Sequence, residues 1–200
     1  SHPDLLDWLA VDFIESGGDA KGTVKLIVMS QTYRRTSVPT AEHLRLDPEN
    51  RLFARQNRFR LGAEFIRDNA LAISGLLSKK MYGRSVKPYQ PANYWYRMYH
   101  QGKYAQDHGE YLYRRGVYTY WRRSFWHPNM ALFDAPAREE CVARRPRSNT
   151  PQQALALLND TTYVEAARVL AERMIRHGGE EGRDRIQFAF EQAICRPAAD

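Results

Sequence analysis

The sequence has few of the residues that mark cross-linked, metal-bound or membrane-spanning proteins. Two cysteines in 200 residues are too few for a disulfide scaffold or for a zinc site built from several thiolates. No apolar run approaches the roughly 18 residues that a membrane-spanning helix needs. Cys195 ends an apolar helical pattern and is expected in the core, whereas Cys141 lies among arginines and is interpreted either as a buried small side chain or as a reactive thiolate.

Common catalytic and cofactor motifs are also absent from the sequence. It contains no H-E-x-x-H zinc motif, no C-x-x-C-H haem attachment and no G-x-S-x-G nucleophile turn. Gly17 and Gly22 have the spacing of a phosphate-binding loop, but Thr23 stands where the phosphate-binding lysine belongs. We therefore expect no metal ion and no cofactor bound within these 200 residues.

The basic residues are mainly arginine, and many of them are concentrated in one stretch. The chain has 24 arginines, six lysines and a formal net charge of +7. Residues 114–147 hold eight of the arginines against three acidic residues, Asp134, Glu139 and Glu140. Because the planar guanidinium suits carboxylate, phosphate and sulfate groups, this concentration indicates either a binding site or a buried network of ion pairs.

The hydrophobic pattern predicts a mainly α fold. Helical periodicity and capping residues indicate helices over about 1–17, 20–32, 61–77, 151–158, 161–178 and 186–197, and a further helix capped by Asp47 and beginning at Pro48. The best strand candidate is 115–121, with 140–145 as a short partner. We expect a single helical domain, part of a larger protein, made of N-terminal helices (1–77), a long aromatic and basic irregular insertion (78–149) with at most a small two-stranded β element, and C-terminal helices (150–200).

Acidic side chains near the middle of the chain are weak candidates for catalysis. Asp107 and Glu110 flank His108, and with Asp134 they are the carboxylates that we would assign to general acid–base chemistry. The structural alternative is a helix start in which Glu110 pairs with Arg114 one turn later. Whether the chain is an enzyme stays open at this stage.

The arginines and one tryptophan are the candidate ligand-binding residues. An anionic ligand is one interpretation and pairing within the protein is the other. Trp95, with Tyr94 and Tyr99 nearby, forms either a platform on which a sugar stacks or the hydrophobic filling of its own loop. The assigned set is Trp95, Arg114, Arg115, Arg138, Arg144 and Arg145.

Several strings spread along the chain form a recognisable set. They include SHPDLLDWLA at 1–10, DPENRL at 47–52, SVKPYQP at 85–91 and LYRR at 112–115. The most specific run extends from FDAP at 133–136 through Cys141 and Arg144 to NTPQQAL at 149–155, and LLND at 157–160 closes it. Together these strings resemble one bacterial family, the domain of unknown function 1553, also called the planctomycete cytochrome-associated D domain. The sequence departs from the usual pattern at Gly18, Gly62 and Tyr111, and the last departure removes one carboxylate from the acidic cluster.

The resemblance implies an exported, extracytoplasmic protein in which this domain follows another domain and often a cytochrome c module. Any haem c would then lie upstream, and no catalytic residue is established for the family. The first functional hypothesis is binding or processing of an anionic polysaccharide, sulfated or uronic, through the arginines and aromatics. The alternative is a structural domain that docks the upstream cytochrome and its partner domain. Nucleic-acid binding is disfavoured because lysine is scarce and no recognition motif is present.

Overall fold

The computed structural model describes residues 2–95, 104–122 and 126–198. The chain divides into two compact units, Ser1–Arg60 and Leu61–Asp200. Both are built from helices and loops, and the described residues contain no sheet, which confirms the mainly α fold class. No described helix is long and apolar enough to cross a bilayer. The division into residues 1–77, 78–149 and 150–200 stays a prediction.

Among its described residues the first unit contains three helices, and local hydrogen bonds cap the starts of two of them. They are α1 (Pro3–Glu15), α2 (Ala20–Met29) and α3 (Ala41–Leu46). The Asp19 side chain accepts hydrogen bonds from two backbone N–H groups at the start of α2, and Thr40 and His43 form a reciprocal capping pair at the start of α3. The predicted capping role of Ser1 falls outside the described residues, and His2 occupies the N-cap position of α1.

The predicted helix start at Asp47 and Pro48 is wrong, because Asp47 lies at the end of α3 and organises a loop. Its carboxylate accepts from the backbone N–H groups of Arg51 at 2.8 Å and Leu52 at 2.7 Å. The Arg55 guanidinium donates to the backbone carbonyls of Asp47 and Pro48. The carboxylate that could have capped a helix is therefore occupied by loop amides four and five residues ahead.

The second unit has five α-helices and two 3-10 turns among its described residues. The helices are α4 (Ala63–Ser74), α5 (Pro128–Leu132), α6 (Pro151–Asn159), α7 (Thr161–His177) and α8 (Gly182–Ile194), and the turns are Gly109–Tyr113 and Gly116–Tyr118. Thr150 and Asp160 cap α6 and α7 as predicted, each accepting a hydrogen bond from the backbone of the first turn.

The core of this unit lies where α4, α5 and α7 meet. α4 packs along α7, α7 also contacts α6 and α8, and α5 joins α4 to α6. The buried cluster consists of Ala63, Met130, Phe133, Ala135 and Tyr163. Trp121 and Trp126 pack against this cluster from the irregular region between α4 and α5. Packing against the core therefore fixes the positions of two tryptophans of the insertion.

Neither predicted strand forms. Residues 116–118 make a 3-10 turn and Thr119 makes a single parallel bridge to Val86, while 140–145 lies in an irregular stretch without a strand. The Gly116 N–H donates to the Asp68 carboxylate at 2.6 Å, and a Cβ on Gly116 would lie 2.8 Å from the Glu64 carbonyl oxygen. The backbone at Gly116 packs closely against α4, and the single bridge between Thr119 and Val86 does not extend into a strand.

The core position predicted for Cys195 is also wrong. Cys195 ends α8 in the left-handed region, with φ of 53°, and its side chain is exposed. Cys141 is exposed as well, which contradicts its interpretation as a buried small side chain. The apolar pattern before Cys195 belongs to α8, whose outward face carries Ile186, Phe190 and Ile194 in exposed positions.

Candidate functional site

Arg114 lies in the interior of the second unit and holds a loop together. Its side chain is 1% exposed, its two terminal nitrogens donate to the backbone carbonyls of Lys80, Tyr82 and Arg84, and its guanidinium stacks 3.8 Å from the centre of the Tyr118 ring. Three carbonyls and an aromatic face account for most of what a guanidinium can bind. Arg114, a candidate ligand-binding residue, therefore makes these contacts within the protein and stabilises the loop.

The two carboxylates beside His108 are also engaged within the protein. Asp107 forms a two-pronged ion pair with Arg84 at 2.5 and 3.1 Å and accepts from the Lys87 backbone N–H. The hydrogen bonds from Arg84 hold the pKa of Asp107 below its ordinary value, and the charge of Lys87 adds to this. Glu110 accepts from the Ser78 hydroxyl at 2.8 Å, in place of the predicted pair with Arg114. Both carboxylates are therefore engaged in hydrogen bonds within the protein.

Asp134, the third candidate carboxylate, clamps the end of α5 to the start of α6. It adopts a positive φ of 61° and accepts hydrogen bonds from both the backbone N–H and the hydroxyl of Ser148. Gln153 donates to the same Ser148 hydroxyl and to the Leu132 carbonyl. A carboxylate with these partners supports the chain connection between two helices.

The remaining candidate arginines have separate surroundings. Arg145 pairs with Glu64 of α4 at 2.7 Å. Arg138 is exposed, adopts a positive φ of 65° and lies with its guanidinium 4.1 Å from the centre of the Trp121 ring. Arg115 and Arg144 are exposed. Of the predicted arginines, Arg138 is the one that the structure places directly on an aromatic ring at the surface.

Aromatic rings and cations from three parts of the insertion form one continuous surface. Trp121 and Trp126 stack in parallel, with ring centres 6.3 Å apart and planes 4° apart. Trp126 also lines a pocket that contains Trp95, whose ring lies 5.6 Å from Tyr104 and 6.1 Å from Tyr120. We define the aromatic–cationic surface as these five rings together with three cations, Lys87, Arg122 and Arg138.

The cations of this surface sit on the ring faces. The Lys87 ammonium lies 5.1 Å from the centre of the Tyr120 ring and 5.9 Å from that of Tyr104, and the Arg122 guanidinium lies 5.7 Å from Trp95. Within 2–95, 104–122 and 126–198, no carboxylate forms an ion pair with Lys87 or Arg138. Positive charge held on aromatic faces favours an anionic ligand that also has an apolar or ring surface.

The pocket at the centre of this surface is small. It has a volume of about 10 Å³, which admits one water-sized atom. Its lining consists of Gln90, Trp95, Tyr104, Tyr120, Trp126 and His127. The Tyr104 hydroxyl donates to the Pro88 carbonyl at 2.6 Å, so that polar group is already used within the protein.

The pocket lining includes a buried histidine, on which the charge of a buried arginine acts. The Nε2–H of His127 donates to the Tyr89 carbonyl at 2.6 Å, and its Nδ1 accepts from the Asn129 N–H. Burial lowers the pKa of His127 to about 4, and the charge of Arg67 lowers it further than the charge of Asp160 raises it. Arg67 is 5% exposed and donates to the Leu112 carbonyl at 2.6 Å. His127 therefore contributes a neutral imidazole to the pocket lining.

Sequence reasoning assigned Trp95 and Arg138 but missed the other residues of this surface. Tyr99, which the sequence also singled out, lies outside the described residues, as does Arg123, one of the eight arginines of residues 114–147. Trp126 lies in none of the quoted motifs and Lys87 lies in the string SVKPYQP, but their place in this surface depends on contacts between stretches about 30 residues apart. Among the described residues, no group of three or more His, Cys, Asp and Glu side chains is arranged to hold a metal ion.

Comparison with known proteins gives one match. A family model, PSD1, protein of unknown function (DUF1553), matches residues 1–200. No curated protein and no solved structure matches the chain. The family resemblance carried by the sequence motifs is confirmed, whereas the planctomycete origin, the cytochrome association and the export remain predictions. The chain therefore belongs to the PSD1 family of proteins of unknown function (DUF1553).

Proposed function

We propose that the chain binds an anionic polysaccharide at the aromatic–cationic surface. The observation that carries the proposal is the position of Trp126, which stacks on Trp121 and also lines the pocket of Trp95. Through Trp126, two sets of rings form a single platform. Sugar rings present apolar faces that pack on aromatic side chains, and their carboxylate or sulfate groups suit guanidinium and ammonium partners.

The distribution of charge supports a polyanion over a neutral glycan. Arg138, Lys87 and Arg122 occupy different parts of the surface, each on a different aromatic ring. A polymer that carries one negative group on each sugar could meet several of these cations at once. Binding would then weaken steeply with salt, as for any ligand whose counterions are displaced on binding.

The proposed function is binding of the polysaccharide and does not include a catalysed reaction. Asp107, Glu110 and Asp134 each accept hydrogen bonds that hold the backbone or a neighbouring loop. None of the three lines the pocket. A general acid needs a carboxyl group within reach of the bond to be broken, with a pKa near the working pH.

Affinity columns test this proposal. Heparin, polygalacturonate and a neutral glucan would be compared under a salt gradient, with wild-type protein and the variants Arg138→Ala and Arg115→Ala. Both variants remove one exposed positive charge, but only Arg138 lies on the aromatic–cationic surface. We expect retention on at least one anionic column, and Arg138→Ala should elute at lower salt than Arg115→Ala. Equal shifts for the two variants, or no retention on either anionic column, would contradict the proposal.

We propose as a second candidate that the first unit docks the upstream part of the same polypeptide. No residue of α1 or α2 is buried, and large apolar side chains on both helices are exposed, including Trp8 at 54%, Ile14 at 74% and Met29 at 59%. Exposed apolar faces of this extent are typical of interaction surfaces. This candidate takes from the family resemblance an upstream cytochrome domain with its haem c, and an extracytoplasmic location.

Hydrogen exchange on the full-length protein tests the docking candidate. Amides of α1 and α2 should exchange at least tenfold more slowly in the full-length protein than in the 200-residue chain. Trp8→Ser and Ile14→Ser in the full-length protein should remove that protection, whereas Leu158→Ser on α6, another exposed apolar position at 72%, should leave it unchanged. Equal exchange in the long and the short protein would contradict docking by these helices.

A further inference from the structure

Trp126, which lines the pocket of the aromatic–cationic surface, carries a buried hydrogen-bond donor without a partner among the described residues. The indole Nε1–H of Trp126 is buried and, among the described residues, makes no hydrogen bond. Trp121, the ring stacked on it, does have a partner, because its Nε1–H donates to the Ala137 carbonyl at 3.1 Å. Buried donors without a partner are uncommon in folded proteins, and a bound water or ion is one explanation of them.

The other polar groups of the pocket leave few donors for a ligand. Both nitrogens of His127 are used by Tyr89 and Asn129, and the Tyr104 hydroxyl is used by Pro88. The Gln90 side-chain amide and the Tyr120 hydroxyl belong to the same lining and make no hydrogen bond within the described part of the chain. The Trp126 indole N–H, the Gln90 amide and the Tyr120 hydroxyl are therefore three donors of this lining that the described residues leave unused.

The size of the pocket restricts what enters it. A volume of about 10 Å³ takes one oxygen-sized atom and is too small for a whole sugar ring. A ring would have to remain on the aromatic faces outside, with a single substituent atom reaching inward. A ligand of this pocket would therefore need one oxygen atom that projects from its ring.

The charges around the pocket select the sign of that oxygen. Lys87 lies over the Tyr104 and Tyr120 rings at the wall. The charge of the buried Arg67 acts on both His127 and Tyr104, where the charges of Asp160 and Asp107, respectively, oppose it. Aromatic pockets without such cations suit quaternary ammonium groups. Two cations thus act on residues of this lining, and Lys87 forms no ion pair among the described residues, which favours a negatively charged oxygen over a cationic ligand.

We propose that this pocket binds one carboxylate or sulfate oxygen of a sugar residue, with the Trp126 indole N–H as the specificity-determining donor and Lys87 as the neutralising cation. This inference rests on the proposed polysaccharide function and assigns the ligand class of its central subsite. Neutral sugars would stack on the same rings but would leave the two cations without a counter-charge.

Indole NMR on the 200-residue chain tests the proposal directly. The Nε1–H signals of the four tryptophans would be followed during titration with trigalacturonate, a sulfated trisaccharide and maltotriose. Trp126→Phe, which keeps an aromatic ring and removes the N–H, assigns the relevant signal, and Trp8→Phe in the first unit is the matched control. We expect the Trp126 signal to move downfield with an acidic trisaccharide and to stay in place with maltotriose. The two acidic ligands distinguish carboxylate from sulfate.

Calorimetry with the acidic trisaccharide gives the second measurement. Trp126→Phe should weaken binding about tenfold or more, because the ligand oxygen loses its buried donor, and Trp8→Phe should leave affinity unchanged. If polysaccharide columns retain the protein but Trp126→Phe binds the trisaccharide as well as wild type, the subsite is wrong and the proposed function stands. If the columns retain nothing, the proposed function fails and this inference fails with it. The wild-type indole shift requires no variant to fold, and a shift of equal size with maltotriose would overturn the charge selection.

Discussion

Mild acid should destabilise the unit Leu61–Asp200 through a single buried histidine. Both ring nitrogens of His127 are satisfied only when the ring is neutral, because Nε2–H donates to Tyr89 and Nδ1 accepts from Asn129. Burial lowers the pKa of His127 from the ordinary 6.5 to about 4. His127 is therefore protonated below about pH 6.5 in the unfolded chain, but only below about pH 4 in the folded chain.

The size of the effect follows from this difference in pKa. A folded-state pKa below the unfolded value contributes stability that is complete above pH 6.5 and is lost as the pH falls towards 4. The difference corresponds to about 3 kcal/mol at 1.36 kcal/mol per pH unit, of which about 2 kcal/mol is lost by pH 5. Burial raises the pKa of Asp68, which acts in the opposite direction, and the lowered pKa of Asp107 matters only in stronger acid.

Urea unfolding at pH 7, 6 and 5 measures this loss. Tryptophan fluorescence is a suitable signal, since three of the four tryptophans, Trp95, Trp121 and Trp126, lie in this unit. His127→Gln keeps a donor for the Tyr89 carbonyl and does not titrate, so it isolates the histidine from all other groups. The free energy of unfolding should fall by about 2 kcal/mol more in wild type than in the variant between pH 7 and 5. Parallel pH curves, or an NMR titration of the His127 ring near pH 6.5, would refute the reasoning.

The helices that sequence patterns located best are those with local start and stop signals. Thr150 followed by Pro151, and Asp160 one residue before Thr161, cap α6 and α7 within their own first turns. Such signals need no distant partner. Asp47 carries the same kind of signal, but its carboxylate is taken by the amides of the following loop, and a pattern of residue types does not distinguish these two uses of one carboxylate.

The strand prediction at 115–121 is wrong because part of this backbone hydrogen-bonds to the distant helix α4. Val117, Tyr118 and Tyr120 are residue types common in strands, yet β propensity depends on the neighbours available for pairing. Gly116 hydrogen-bonds to Asp68 of α4, almost 50 residues away. The aromatic–cationic surface has the same origin, since Lys87, Trp95 and Trp126 come together only through the fold.

The remaining predictions concern two residues whose roles depend on such distant contacts. Gly116→Ala should lower the free energy of unfolding by about 1–3 kcal/mol, because the added Cβ would lie 2.8 Å from the Glu64 carbonyl oxygen. Gly182→Ala is the control, since there is open space around that position, and it should change stability little. Equal effects of the two substitutions in urea unfolding would contradict the close packing at Gly116. Arg114→Lys should cost about 2 kcal/mol, since one ammonium cannot replace a planar guanidinium that donates to three carbonyls and stacks on Tyr118. The adjacent Arg115→Lys, at an exposed position, should stay within about 0.5 kcal/mol of wild type. Comparing the same substitution at these two neighbouring positions distinguishes a structural guanidinium from a solvent-exposed one. Similar thermal unfolding of the two variants would mean that the carbonyl contacts of Arg114 do not hold the loop.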